Sequence, residues 1–194
     1  MLQYWVWDAG VLATFATDYA NPSKKIPSEM VEQMKKAKLA NAGIFYRRQL
    51  AFAALDLALH GPHPEDQSYD CVAVCNRILA KVFLPLDPHT TFVSAFRALD
   101  GYDAGYYGYA WADAIAADMA TVFERAKNDY LDQEAGLRLR REIYEQGASR
   151  DVALSVEKFL GRQLSAAPFL RKWGIASEPK AKATATREGH CYAR

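Results

Sequence analysis

Apolar residues recur along this chain at the spacing of an α-helix, and this periodicity constrains the fold more than any other feature. In the clearest stripe, successive apolar positions are four, four and three residues apart: Trp111, Ile115, Met119 and Val122. Such spacing places the side chains on one face of a helix. No segment alternates between apolar and polar residues for long enough to predict a strand. The sequence therefore predicts an all-α, multi-helix unit.

Residues 50 to 59 form a second helical pattern, in which Asp56 is the single charged residue. A helix that is apolar on nearly every side is expected to be buried. Gly61-Pro62 ends the pattern. Before it, Asn41-Ala42-Gly43 marks either a break in the helix or a close contact with another helix.

Charge and composition divide the chain into a folded body and a tail. The chain has 24 Lys+Arg against 23 Asp+Glu, a formal charge of +1, which argues against nucleic acid as the main partner because phosphate binding needs surplus cations. Residues 176–194 hold four of the cations and two of the anions and are poor in apolar residues. This composition predicts a flexible basic tail after a single helical domain at residues 1–175.

The apolar stretches are too short, and the amino terminus too poor in basic residues, for membrane insertion or secretion. No apolar run reaches the ~18 residues that a membrane span requires. The first ten residues, MLQYWVWDAG, show neither a basic start nor a small-residue cleavage site. We therefore expect no membrane partner and a cytoplasmic location.

The cysteines and histidines give no metal-site pattern. Cys71 and Cys75 are four residues apart and could lie on one helix face as ligands, but no His or Cys pair follows at zinc-site spacing, which favours two small core residues. His60 and His63 bracket Gly61-Pro62, the wrong geometry for two ligands on one helix, and are predicted to be loop residues. The sequence contains no HExxH. We therefore expect no metal ligand in this chain.

The segment from Asp100 to Trp111 is unusually rich in glycine and tyrosine. Its glycines weaken a helix by about 1 kcal/mol each, so the segment serves either close helix packing or a loop that meets a ligand. Three of its tyrosines lie at i, i+4 and i+7: Tyr102, Tyr106 and Tyr109. In a helix they would share a face, and their hydroxyls can donate hydrogen bonds to a peptide carbonyl or to an oxyanion. The pattern alone leaves both roles open, and aromatic stripes more often form core.

The same segment, GYDAGYYGYAW at 101–111, resembles a motif of the thimet oligopeptidase, neurolysin and oligopeptidase A family of zinc metallopeptidases. The resemblance extends in collinear order over about nine-tenths of the chain. It is carried by MLQYWVWDAGVLATFATDY at the start and by the segments 26–27, 38–43, 48–51, 56–60, 159–162 and 169–170.

This resemblance implies that residues 1–175 form one helical wall of a channel that admits short peptides. Tyr109 matches the tyrosine whose hydroxyl stabilises the oxyanion, and Tyr102 and Tyr106 match tyrosines that contact the substrate backbone. The glycines between them would give the segment its freedom of movement: Gly101, Gly105 and Gly108.

The resemblance also implies a zinc cofactor that this chain does not itself hold. In the family, zinc is bound by the two histidines of HExxH and a downstream glutamate, and all three precede the matched region. We therefore expect the chain to be the carboxy-terminal part of such a peptidase, inactive without a partner that supplies the zinc-binding half. Family relatives occur in the cytosol and in mitochondria. Two alternatives stay open: a non-catalytic peptide-binding helical module and an inert truncated remnant.

Overall fold

A computed structural model describes residues 1–62 and 69–175, and within them it confirms the all-α prediction. The predicted tail at 176–194 and His63 lie outside these residues. The described α-helices, in chain order, are α1 (Ala9–Phe15), α2 (Ser28–Ala40), α3 (Ala42–His60), α4 (Cys71–Val82), α5 (Phe92–Ala95), α6 (Gly108–Glu124), α7 (Gln133–Leu139), α8 (Val152–Leu160) and α9 (Ala167–Lys172). Short 3-10 helices lie at Leu2–Trp7, Arg97–Leu99 and Asp129–Leu131, and a π-helical turn, Arg140–Tyr144, follows α7.

Local sequence signals explain several of the helix ends. Of the two alternatives for 41–43, the structure shows the break: α2 ends at Ala40 and α3 begins at Ala42. The Asp70 side chain accepts hydrogen bonds from the backbone N–H groups of Val72 and Ala73 and so starts α4. Helix α8 stops at Gly161, whose φ of 71° is a left-handed conformation that favours glycine.

The first hydrophobic cluster is built from α6, α7 and α8 and centres on Phe123 and Phe159, both fully buried. Trp5 packs edge-on against Phe123, with 4.8 Å between ring centroids. The Trp5 indole N–H donates to the carbonyl oxygen of Tyr130 at 2.7 Å. The amino-terminal 3-10 helix is thereby fixed to a core formed more than a hundred residues later.

The second hydrophobic cluster joins α3 to α4 through Phe52, Leu55 and Leu79. Cys75 belongs to it, with 1% of its surface exposed. The prediction that Cys71 is also a core residue is wrong: Cys71 is exposed. It is the first residue of α4, and the packed stripe of that helix begins only at Val74.

The apolar stretch at 50–59 is buried on one side only. Its buried residues include Phe52, Leu55 and Asp56, whereas Leu50 and Leu57 are 52% and 49% exposed. The expectation of burial all round is therefore wrong, because α4 covers one side of α3 and nothing among the described residues covers these two leucines.

A buried ion pair fixes the chain that follows α8. The Asp118 carboxylate, on α6, is fully buried and accepts hydrogen bonds from both terminal nitrogens of the Arg162 guanidinium. It also accepts from the backbone N–H of Ser165 at 2.7 Å. Because every Asp118 oxygen has a donor, these hydrogen bonds offset part of the cost of burying the carboxylate.

None of the described helices combines the length and apolar character that crossing a membrane requires.

Candidate functional site

The glycine- and tyrosine-rich segment forms a loop that leads into α6. Residues 101–107, which we call the tyrosine loop, are turns, and α6 starts at Gly108. Backbone hydrogen bonds shape the loop, including Gly105 N–H to the Tyr102 carbonyl at 3.1 Å and Gly108 N–H to the Gly105 carbonyl at 3.0 Å. Tyr109 therefore lies in the first turn of α6, whereas the other two tyrosines precede the helix. The i, i+4, i+7 helical face is not formed.

The three tyrosines nevertheless meet, because the loop folds them onto one another. The ring centroids of Tyr102 and Tyr109 are 5.7 Å apart, and those of Tyr106 and Tyr109 are 5.0 Å apart. We call these three side chains the tyrosine cluster. Tyr102 and Tyr109 are 44% and 56% exposed, whereas Tyr106 packs its ring against Phe52 and Phe96 of the second hydrophobic cluster. The Tyr106 ring is thus packed in the core, whereas the rings of Tyr102 and Tyr109 are partly exposed to solvent.

A buried carboxylate on α3 holds the backbone of the tyrosine loop. Asp56 is fully buried. Its Oδ1 accepts a hydrogen bond from the backbone N–H of Ala104 at 3.1 Å, and its Oδ2 accepts one from that of Tyr106 at 2.8 Å. These bonds span 48 and 50 residues of sequence. The loop therefore takes its position from α3 as well as from its own turns.

His60 completes this arrangement one helical turn after Asp56. Its Nδ1 lies 2.9 Å from Asp56 Oδ1 and 3.0 Å from the Asp56 carbonyl oxygen. Its Nε2 lies 3.6 Å from Oδ1 of Asp103, a residue of the tyrosine loop. His60 therefore connects the last turn of α3 to the loop and is not a free loop residue as the sequence predicts.

Two of the predicted glycines have a visible steric reason. Gly101 has a φ of +81°, which L-residues rarely adopt. A Cβ on Gly105 would lie 3.3 Å from both the ring and the carbonyl oxygen of Tyr102, tighter than ordinary contacts. At Gly108 a Cβ would meet the Tyr102 hydroxyl at 3.6 Å, an ordinary van der Waals distance.

A hollow of about 250 Å³ opens beside the tyrosine cluster. Tyr106 and Tyr109 form one part of its lining, and Phe45, Tyr46 and Asp113 contribute to the rest. The Tyr46 hydroxyl donates a hydrogen bond to Asp113 Oδ2 at 2.9 Å. The hollow thus has aromatic walls with a small number of fixed polar groups, the composition typical of small-ligand sites.

The phenols beside the hollow are hydrogen-bond donors at neutral pH. Burial, followed by the neighbouring Tyr109, raises the pKa of Tyr106 above its ordinary value of 10. Burial and the hydrogen bond to Asp113 raise the pKa of Tyr46 in the same direction. Groups with raised pKa values keep their protons, so the Tyr106 hydroxyl can donate to a carbonyl or an oxyanion, whereas the Tyr46 hydroxyl already donates its proton to Asp113.

The residues described by the structure do not fit the zinc ion that the resemblance implies. Within 1–62 and 69–175, no three His, Cys, Asp or Glu side chains come together as a group that could hold a metal ion. His60 already directs one ring nitrogen to Asp56 and the other towards Asp103. What the described residues offer at this site is therefore a set of phenol groups and aromatic faces beside the Asp113 carboxylate.

A larger hollow, of about 490 Å³, contains none of the three tyrosines. Its lining includes three aromatic residues and three lysines: Tyr4, Trp7, Tyr130, Lys35, Lys38 and Lys172. We place the candidate site at the smaller hollow because the sequence motif, the tyrosine cluster and the Asp56 hydrogen bonds meet there. Size alone would select the other hollow.

Three residues of the site were not singled out by sequence reasoning: Asp56, Tyr46 and Asp113. For Asp56 a signal existed, because a lone charge in an otherwise apolar helical stretch must find partners when it is buried. Tyr46 and Asp113 gave no comparable signal. They are 67 residues apart, and only the packing of α3 near α6 brings them together.

Comparison with known sequences gives a consistent result over most of the chain. The sequence profile described as Peptidase family M3 matches residues 1–175. Thimet-like oligopeptidase of Dictyostelium discoideum is 33% identical over 178 residues, which are 90% of this chain and 26% of that protein. Organellar oligopeptidase A, chloroplastic/mitochondrial, of Arabidopsis thaliana is 31% identical over 90% of this chain and 22% of its own length. Oligopeptidase A of Escherichia coli is 30% identical over 90% of this chain and 26% of its own length. The chain spans about a quarter of the length of these curated relatives.

Proposed function

Because the chain belongs to peptidase family M3, we propose that it forms the peptide-binding wall of an oligopeptidase. Its substrates would be short peptides, bound in the hollow beside the tyrosine cluster. The zinc-binding half of the site would come from a partner region or chain, since the described residues offer no group of metal ligands.

The observation that carries this proposal is the tyrosine cluster itself. Tyr102 and Tyr109 are in ring contact and half exposed, beside a hollow that Tyr106 and Tyr109 line. Exposing two such rings adds nothing to the packing of a monomer. Exposed phenols suit a ligand-binding surface, because they combine apolar contact area with a hydrogen-bond donor. The family motif runs through these same three residues.

The proposed roles are those that the family resemblance implies for each tyrosine. Tyr109, in the first turn of α6, would donate to the oxygen of the scissile carbonyl and to the oxyanion formed from it. Tyr102 and Tyr106 would contact the peptide backbone on either side. Gly101, Gly105 and Gly108 would allow the loop to adjust to the peptide. In an active assembly, loss of the Tyr109 donor should raise the barrier by about 2.7–4 kcal/mol.

We place this function in the cytoplasm, with an organelle as the alternative. The Arabidopsis relative carries the words chloroplastic/mitochondrial in its name. The short tail at 176–194 lies outside the described residues and plays no part in the proposal. Fractionation of cells that express the tagged full-length protein distinguishes the two locations.

Peptide affinity tests the proposal directly. We expect the full chain to bind a labelled bradykinin-like peptide without cleaving it, as measured by fluorescence anisotropy. Tyr109→Phe should weaken binding about 2- to 10-fold, the usual contribution of one hydrogen bond. Tyr144→Phe is the matched control, because Tyr144 is 52% exposed but lies in the π-helical turn after α7. It should bind as the wild type does.

Other outcomes of this experiment separate the alternatives. Binding that depends on the tyrosines and ignores chelators, with no partner that restores cleavage, would indicate a non-catalytic peptide-binding module. Concentration-dependent association without any peptide binding would indicate an inert remnant. Hydrolysis by the purified chain, stimulated by metal and abolished by Tyr109→Phe, would contradict our assignment of the metal to a partner.

A further inference from the structure

We propose that Asp56 and His60 are the positioning residues of the tyrosine loop. We further propose that protonation of His60 stabilises the bound position of the loop by adding an attractive contact with Asp103. This inference rests on the proposed peptide-binding function and deepens it, because the loop carries two of the three binding tyrosines. Neither residue needs to touch the peptide. Both would act through the backbone of the loop.

Asp56 fits this role because both of its carboxylate oxygens are already engaged by the loop and by His60. The side chain is fully buried. Oδ1 accepts from Ala104 N–H and faces His60 Nδ1, and Oδ2 accepts from Tyr106 N–H. A buried carboxylate without donors is very costly, so the helix and the loop stabilise one another at this point. Displacing the loop would leave the charge without two of its partners.

Asp56 fixes Tyr106, the member of the tyrosine cluster that packs against the core. The Tyr106 N–H is fixed by Asp56, and the Tyr106 ring packs on Phe52 and Phe96. With backbone and ring both fixed, Tyr106 offers Tyr109 a fixed neighbour at 5.0 Å between ring centroids. The place of Tyr109 at the hollow is thus set in part by a carboxylate on another helix.

Ala104 shows that the hold is strong enough to maintain an unfavourable backbone. It has a φ of 53°, a left-handed conformation that is uncommon for residues with a Cβ. Its N–H is one of the two that Asp56 binds. Such a conformation persists where the surrounding contacts determine it.

His60 makes the hold dependent on pH through its two ring nitrogens. The charged groups that face it are Asp56 from its own helix and Asp103 from the loop. In the neutral ring with a proton on Nδ1, that nitrogen donates to Asp56, and Nε2 turns a lone pair towards the Asp103 carboxylate 3.6 Å away. In the imidazolium, Nε2–H instead faces the carboxylate as a donor. Protonation therefore converts a repulsive contact with the loop into an attractive one.

The direction of the pH effect follows from the shift in the folded state. Partial burial lowers the pKa of His60, but the hydrogen bonds to Asp56 and the charges of Asp103 and Asp56 raise it more, to a value above the ordinary 6.5. A pKa that is higher in the folded state contributes stability below the unfolded value of 6.5. That contribution is lost as the pH rises through the raised, folded value. We therefore expect the loop to be held more firmly on the acidic side of neutrality.

Amide hydrogen exchange of the full chain, followed by NMR, tests the role of Asp56. Asp56→Asn should lower the protection factors of the Ala104 and Tyr106 amides about 10- to 100-fold, as expected for hydrogen bonds to a charged acceptor. Asp118→Asn is the matched control, because it alters another fully buried carboxylate that binds the Ser165 N–H. It should lower protection of Ser165 and leave Ala104 and Tyr106 unchanged. Equal protection of the two loop amides in Asp56→Asn and wild type would overturn the proposal.

Two milder variants test His60, and they answer the question even if Asp56→Asn does not fold. His60→Gln retains an N–H donor for Asp56 but cannot titrate, and Asp103→Asn alters a side chain that is 65% exposed. In the wild type, protection of the loop amides, corrected for intrinsic exchange, should rise as the pH falls from 8 to 6. In both variants this rise should disappear. A wild-type profile without the rise, or one that persists in both variants, would contradict the proposed switch.

These measurements separate this inference from the proposed function. If the wild type binds no peptide, the peptide-binding proposal fails while the exchange data still report on the Asp56 hold. If the wild type binds the labelled peptide and Asp56→Asn binds it equally well with unprotected loop amides, the positioning role fails while the binding function stands.

Discussion

At the scale of single residues, the tyrosine loop shows how one conformation is imposed on a chain that would not choose it. Gly101 and Ala104 both have positive φ values, 81° and 53°. Only the first is a glycine, for which this region is freely accessible. The loop thus begins at Gly101, where a left-handed conformation is readily accessible. It continues through Ala104, where the hydrogen bond to Asp56 stabilises the less favourable one.

We predict that Gly101→Ala lowers the free energy of unfolding by about 1–2 kcal/mol, because it forces a Cβ into a left-handed conformation. Urea denaturation of the full chain measures the change. Gly136→Ala serves as the control: Gly136 lies inside α7, where an added Cβ would have no atom within 4 Å and φ is not positive. It should raise stability by up to about 1 kcal/mol. Equal effects of the two substitutions would show that the left-handed turn at 101 is not formed.

A second prediction at this scale concerns Lys172, whose Nζ lies 2.9 Å from the Tyr4 hydroxyl. Burial, followed by the nearby charge of Lys38, lowers the pKa of Lys172 from 10.5 to about 8. Between these two values the unfolded chain binds a proton that the folded chain does not, so stability should rise with pH. The rise should be measured from pH 8 to pH 10, below the range in which the raised pKa of Tyr4 acts. Urea denaturation of Lys172→Met should show a smaller rise, and an identical slope would refute the burial of this amine.

The residues of the site show where sequence reasoning succeeds and where it stops. Tyr102, Tyr106 and Tyr109 could be selected because spacing and a family motif mark them, and the structure brings their rings into contact. Their contact could not be derived from that spacing, since it arises in a loop and not on a helical face. Asp113 and Tyr46 could not be found at all, because nothing local in the sequence records a hydrogen bond across 67 residues.

At the scale of helices, local sequence signals predict where a helix ends better than they predict which of its faces are buried. The break near Asn41 follows from short-range chemistry and is confirmed, as is the helix end predicted at Gly61-Pro62. The apolar composition of residues 50–59 overestimates their burial, because it reports how apolar a face is and not whether another element covers it. Leu50 and Leu57 are apolar and exposed for this reason.

The connection after α8 gives a prediction at this scale. Arg162→Leu should lower the free energy of unfolding by roughly 3 kcal/mol, because it leaves the Asp118 carboxylate buried with one donor in place of three. Arg140→Leu is the matched control, since the Arg140–Glu145 pair is exposed on both sides. It should cost less than about 1 kcal/mol. Thermal or urea denaturation measures both, and a small effect of Arg162→Leu would show that water reaches Asp118.

At the scale of the whole described chain, two hydrophobic clusters share α6 as a common neighbour. Helix α6 supplies Phe123 to the first cluster. Its amino-terminal end is joined to the second through the tyrosine loop and through the Tyr46–Asp113 hydrogen bond. We therefore expect the two clusters to unfold together.

Thiol labelling tests this cooperativity. Phe159→Ala should cost about 3–5 kcal/mol in the first cluster, because it removes a fully buried ring. If the clusters unfold as one unit, the same substitution should increase the labelling rate of Cys75, which is buried in the second cluster. Labelling of the exposed Cys71 should stay fast in both proteins. Peptide mapping by mass spectrometry separates these sites, and an unchanged Cys75 rate would show two independent units.

The Asp56 hydrogen bonds have a consequence for anyone who wishes to transplant this surface. A graft of residues 101–109 alone would transfer all three tyrosines but would leave behind the acceptor on which Ala104 and Tyr106 depend. In a new scaffold the loop would relax from its left-handed turn, and the three phenol rings would lose their contacts with one another. The smallest portable unit is therefore discontinuous: the loop, the first turn of α6 and the stretch of α3 that carries Asp56 and His60.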